Sequence, residues 1–104
     1  MQREVLKGHL DMLLLATVEQ EPAHGYRIVE LLRERSSGAF DLAEGTVYPA
    51  LYRLERAGLL ASSWSRASGR RRRVYRITGK GRLMLAQRRL EWRDFSSAVE
   101  AVVA

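Results

Sequence analysis

One stretch limits the fold more than any other. "GTVYPALYRLERAGLL" (Gly45–Leu60) runs directly into "ASSWSRASGRRRRVYRIT" (Ala61–Thr78). In the first half Val47, Leu51 and Leu54 recur at helical spacing, and Gly58 is a C-terminal stop signal. The second half reads as two short strands, "LLASSWS" and "RRVYRIT". They flank a tip, "RASG", in which Gly69 suits a positive φ. Val74 and Arg76 alternate with Tyr75 and Ile77, a period of two. A helix that passes at once into a cationic hairpin is compatible with few architectures.

The flanking residues narrow the choice. A first helix is expected over Glu4 to about Glu19, with Leu6, Leu10, Leu13, Leu14 and Val18 on one stripe, ended by Pro22. A second runs from about His24 to Ser36, with Ile28, Leu31, Leu32 and Arg35 sharing a face. "SSGAFD" is a turn with Gly38 as its stop signal. The third helix covers about Glu44 to Ala57, although Pro49 belongs by rule in a first turn and would move the start toward Thr46. Thr78 caps a final helix from about Gly79 to Val103, about 38 Å long at 1.5 Å per residue. Helix, helix, helix, hairpin is the order of a winged helix-turn-helix. The expected fold is therefore mostly α with a small β-hairpin: a winged-helix unit over residues 1–78 and a long helix over 79–104.

Charge is distributed unevenly. The net formal charge is +6, yet Arg53 to Arg93 contains thirteen Arg/Lys against two Glu, while the first 52 residues hold five basic and eight acidic residues. Such a block is the footprint of a polyanion binder. Sixteen of the eighteen basic residues are Arg, the side chain suited to bidentate contact with phosphate and guanine. On this reading Thr46, Tyr48, Tyr52 and Arg53 of the third helix meet double-stranded DNA in the major groove. Arg70, Arg71, Arg72 and Arg73 of the wing lie along flanking phosphates or the minor groove. Consecutive strand residues alternate faces, so about half of these arginines can point at DNA together; the rest sit at the tip or pair with acids.

The last helix carries a second pattern. Leu85, Trp92 and Val99 are seven residues apart, as are Arg88, Phe95 and Val102. As a and d positions all but Arg88 are apolar. A chain of 104 residues has a limited core, so Leu85, Trp92, Phe95, Val99 and Val102 are expected to form a homodimer seam. The alternative is a helix that folds back on its own domain.

"HGYRI" (24–28), "GTVYPALYRLERAGLL" (45–60), "RRRVYRIT" (71–78) and "GKGR" (79–82) together resemble the PadR family of bacterial transcriptional regulators. The resemblance implies a winged-helix domain, a dimerising C-terminal helix and repression relieved by a small effector. It also implies a third helix that starts near Glu44 with Pro49 inside it. The single C-terminal helix is similar to a compact subgroup that includes multidrug-sensing members, in which a Trp of each subunit stacks on a flat aromatic ligand at the interface. Trp92 falls where that Trp would fall; as a seam residue it could equally serve only packing.

Other chemistry finds no foothold. There is no cysteine, which excludes disulfides and thiolate metal sites and fits a cytoplasmic location. His9 and His24 lack ligand-spaced partners, so His24 reads as a helix-start hydrogen bonder, His9 as a surface or dimer contact, and Trp64 as core or wing anchor. The apolar "MLLLA" is too short for a membrane span. No nucleophile-plus-base set or glycine-rich phosphate loop is present, so neither an enzyme nor a cofactor is expected. Two other functions compete with sequence-specific regulation: a protein-docking module and nonspecific nucleic-acid packaging.

Overall fold

The computed structural model describes residues 9–67 and 69–104. Helix α1, Leu10–Gln20, buries Leu10, Leu14, Leu15 and Val18; the expected start at Glu4 and the stripe residue Leu6 lie outside the described residues. The chain turns extended at Glu21, ahead of Pro22. It then forms β1, Ala23–His24, a strand too short for any periodicity to announce. β1 pairs antiparallel with the wing, Ala23 opposite Tyr75 and His24 opposite Val74. The expected hairpin is therefore part of a three-stranded sheet. Its other strands are β2, Leu60–Ser65, and β3, Arg72–Ile77, in the order β1-β3-β2. The β2–β3 register runs from Leu60 opposite Ile77 to Ser65 opposite Arg72.

Helix α2, Gly25–Arg35, is capped by His24, whose Nδ1 accepts the Arg27 N–H at 3.2 Å. It buries Ile28, Val29, Leu31 and Leu32, while Arg35 stays exposed and donates to the Thr17 carbonyl of α1 at 3.2 Å. Its end is a Schellman turn, with Gly38 N–H on Arg33 O at 2.8 Å and Ser37 N–H on Glu34 O at 3.2 Å. The first left-handed residue is thus Ser37, at φ 52°, one position before the expected stop at Gly38. The Ser36 hydroxyl accompanies this turn, donating to Leu32 O at 2.7 Å and accepting from Phe40 N–H at 2.8 Å.

Helix α3 spans Glu44–Arg56 with Pro49 inside. The propensity argument for a start near Thr46 fails for a local reason. Proline removes the hydrogen bond to the carbonyl four residues back, that of Gly45, and its ring crowds that same carbonyl. Both residues are exposed, so that carbonyl can bond to water. α3 ends at Gly58, φ 79°, with Leu59 N–H on Leu54 O and Gly58 N–H on Glu55 O, a second Schellman turn.

Helix α4, Gly79–Val103, begins at Thr78. The Thr78 hydroxyl accepts Gly81 N–H at 3.0 Å and donates to Gly58 O at 2.7 Å, tying the helix start to the end of α3. The fully buried side chains Leu14, Leu15, Val18, Ile28, Val47, Leu51, Leu54, Leu60 and Leu85 form the centre of one core. This corrects the expectation for Leu85, which is 0% exposed within the single chain and cannot face a second one. Burying such a leucine contributes about 1.5–3 kcal/mol, enough to hold the first turns of α4 on the domain. Farther along, Leu90, Trp92, Phe95, Val99 and Val102 are exposed. The molecule is accordingly elongated, 51 × 28 × 20 Å.

Candidate nucleic-acid interface

The buried side of α3 is Val47, Ala50, Leu51 and Leu54. At 3.6 residues per turn, the stripe diametrically opposite is Gly45, Pro49, Tyr52 and Arg56, and all four are exposed. Thr46 and Arg53 lie on one flank of that stripe; Glu44, Tyr48 and Glu55 lie on the other. Each flank is tied to a different neighbour.

On the first flank, Arg53 makes a bidentate contact with Asp11 of α1, Nη2 to Oδ1 at 2.6 Å and Nη1 to Oδ2 at 2.9 Å. Donating to the Asp11 carboxylate raises the guanidinium pKa further, by stabilising its charged form. On the second flank, the Tyr48 ring lies against Gly25 at the start of α2, leaving no room for a β-carbon there. Burial, and next the Glu44 carboxylate, push the Tyr48 phenol above its ordinary value. It is therefore a neutral hydrogen-bond donor at neutral pH. Glu55 accepts the Ser62 hydroxyl at 2.6 Å and pairs with Arg73 at 3.5 Å, joining α3 to the wing.

The four wing arginines part company. Arg73 donates Nε–H to the Ser62 hydroxyl at 2.6 Å and is committed to that chain of contacts with Glu55. Arg72 lies on His24, Nη1 2.7 Å from Nε2. Burial, and next the Arg72 charge, hold the His24 imidazole below its ordinary value of 6.5. Arg70 and Arg71 precede β3, at the tip. Arg71 lies 4.2 Å from the centre of the Trp64 ring and Arg73 5.5 Å, so Trp64 anchors the wing through cation–π contacts. Trp64 is 54% exposed and is not part of the core.

Tyr48 and Arg70–Arg73 line one cleft of about 490 Å³, together with His24, Tyr26, Glu44 and Trp64. The sequence-derived residues Tyr48 and the four arginines thus converge. Thr46 and the 61%-exposed Tyr52 lie outside that lining, and Arg53 is drawn toward α1. Trp64, expected from sequence as core or wing anchor, stands at this face on the wing side, and Tyr26 and Arg56 join it without having been assigned to the site from sequence. Rotating α3 about its apolar stripe finds Arg56, for which no intramolecular ion pair occurs among the described residues.

A second, smaller hollow of about 200 Å³ is lined by His9, Met12, Arg88, Glu91, Trp92 and Phe95. His9 stands edge-on to Trp92 at 5.1 Å and Phe95 is 6.2 Å away, so the hollow is walled by aromatic rings. Among the described residues no cluster of His, Asp or Glu could hold a metal ion, and no helix is long and apolar enough to cross a membrane.

Comparison with known proteins is consistent with this geometry. The family model of PadR-like transcriptional regulators matches residues 14–87. The transcriptional regulator Rv3488 of Mycobacterium tuberculosis is 37% identical over 87 residues, 84% of this chain and 78% of that protein. A transcriptional regulator from Clostridium thermocellum superposes with a TM-score of 0.90 at 27% identity, covering 100% of this chain and 99% of that one. A PadR family transcription regulator from Clostridium difficile superposes at 0.83 with 34% identity, covering 92% and 99%. The family match over most of its length, on a scaffold of three helices and a cationic wing, places the chain in the PadR-like family of transcriptional regulators, winged-helix proteins that bind DNA and are not enzymes.

Proposed function

We propose that the chain is a homodimeric, sequence-specific repressor whose hold on its operator is released by a planar aromatic molecule. One observation carries the DNA reading: the first half of α3 and the arginines of the wing border a single cleft. Tyr48 and the tip arginines Arg70 and Arg71 take backbone phosphates there, aided by Arg72. Thr46 and Tyr52 of α3 approach base edges, since phosphate contacts position and base contacts specify. Trp92, Phe95, Val99 and Val102, spaced three, four and three residues apart, form the seam to a second copy. In that dimer residues 1–78 act on DNA and 79–104 join the subunits. The ring-walled hollow at Trp92 receives the effector, and two such hollows meeting at a two-fold axis would place two indoles on one flat ligand.

The test uses a duplex selected by the protein from a random-sequence library, compared with an unselected duplex in a salt titration. Specific regulation predicts tighter binding to the selected duplex at every salt concentration. Equal affinity would indicate packaging, and no affinity for either would indicate a docking module. For the effector, planar cationic dyes should quench indole fluorescence in wild type and Trp64→Phe but not in Trp92→Phe, and should weaken operator binding. Quenching that survives Trp92→Phe would remove Trp92 from the effector site.

A further inference from the structure

Arg53 and Asp11 are 42 residues apart in sequence, yet they meet in two hydrogen bonds of 2.6 and 2.9 Å. The contact lies on the flank of α3 that faces α1, midway between its buried stripe and the outward stripe of Gly45, Pro49, Tyr52 and Arg56. The Arg53 side chain is 59% exposed and the Asp11 side chain 27%. A pair this wet contributes little to stability, because water and salt screen it. Bidentate geometry contributes direction instead, since a planar fork on a carboxylate resists rotation and sliding.

Two things follow from the arrangement. A guanidinium with both terminal nitrogens on a carboxylate is not free to make a bidentate contact with guanine. And a carboxylate on the flank of a DNA-binding helix is a liability near phosphates unless a cation covers it, so its presence calls for a use other than charge. The opposite flank of α3 is fixed as well, by Glu55 to Ser62 and Arg73. The two ties hold the helix from both sides and set the rotation at which its outward stripe is presented.

We infer that Asp11 is a positioning residue for DNA recognition: by clamping Arg53 it fixes the rotation of α3 on α1, and Arg53 serves as the clamp rather than as a base reader. This rests on the proposed sequence-specific binding. It also replaces the sequence-based assignment of Arg53 to direct readout.

The test is Asp11→Asn, because charge and geometry predict opposite signs. Removing a negative charge near DNA should tighten binding to every duplex if electrostatics alone matters. If Asp11 positions α3, the preference for the library-selected duplex over random duplex should instead fall, by about tenfold. Random-duplex affinity should stay level or rise. Asp11→Glu, which can still reach the guanidinium, should recover most of the preference. Arg53→Gln should lose about as much as Asp11→Asn, and the double variant should lose no more than either, as expected for two halves of one contact. Circular dichroism melting of each variant shows that the fold is retained, and Asp11→Glu and Arg53→Lys carry the test if the neutral variants melt early. Unchanged preference in Asp11→Asn alongside a collapse in Arg53→Gln would overturn the inference and return Arg53 to the bases. Failure of the wild-type protein to prefer any selected duplex would instead overturn the binding reading itself.

Discussion

The Tyr48 ring packs on the bare α-carbon of Gly25, so the start of α2 and the face of α3 share one van der Waals surface. A methyl group at position 25 would occupy the space of the ring atoms Cδ1, Cε1 and Cζ. Because Tyr48 is half exposed, it can swing aside instead of straining the core. Gly25→Ala is therefore expected to cost only about 1 kcal/mol in urea denaturation, while weakening DNA binding as much as Tyr48→Ala does. An unfolded Gly25→Ala protein, or one with wild-type DNA affinity, would mean that Tyr48 is not seated where the contact places it.

His24 couples the same region to pH. Its imidazole caps α2 through Nδ1 and sits beside Arg72. Burial first, and then the Arg72 charge, hold its pKa below 6.5; Arg27 acts in the same direction and Glu30 against it. A depressed folded-state value means that below pH 6.5 the unfolded chain takes up the proton first. His24 thus supports the fold above that pH, and its contribution is lost as pH falls through the lower folded value. Asn also caps helices and does not titrate. In urea melts at pH 7.5 and 5.5, His24→Asn should lose less stability on acidification than wild type. Equal losses would assign the pH dependence to other groups.

The parts of this molecule that could be read from its sequence are those whose signal is local. The third helix and the wing strands declared themselves through Val47, Leu51 and Leu54 and through the alternation around Tyr75. β1 could not, because two residues have no period and its partner lies some fifty residues downstream. The Asp11–Arg53 clamp was hidden for the same reason. Leu85 shows a different limit: a heptad pattern says that a position is covered, not by whose side chains. The C-terminal helix passes from its own core at Leu85 to an exposed face at Trp92 without any break in the pattern. Pro49 shows that helix propensity misjudged a boundary where the carbonyl losing its donor is itself exposed.

The wing arginines are expected to separate by partner. Arg70 and Arg71 have no carboxylate partner among the described residues and stand at the tip, whereas Arg73 is held by Glu55 and Ser62. Arg70→Ala with Arg71→Ala should weaken binding to all DNA. It should also lower the log–log salt slope by about 0.9 for each phosphate that is no longer neutralised. Arg73→Ala should reduce affinity with a smaller change in slope, since it acts by loosening the wing from α3. The reverse order of slopes in a salt titration would place Arg73 on the phosphates and the tip away from them.

The proposed seam along α4 gives the sharpest separation of folding from assembly. Val99 is 41% exposed and Phe95 60% exposed in the single chain, and both lie beyond Leu85, where the helix leaves its own core. A glutamate at position 99 therefore enters water if the chain stays alone, and costs little. In a dimer seam the same carboxylate would be buried without a partner, an arrangement that costs several kcal/mol. Val99→Glu should keep its helical circular dichroism and sediment as a monomer where wild type sediments as a dimer. Operator affinity should fall with it, because two recognition helices joined at a fixed spacing of about 34 Å bind two half-sites together. A dimeric Val99→Glu protein would show that the exposed face of α4 is not the seam. A monomeric variant with undiminished operator affinity would show that one winged helix suffices for recognition.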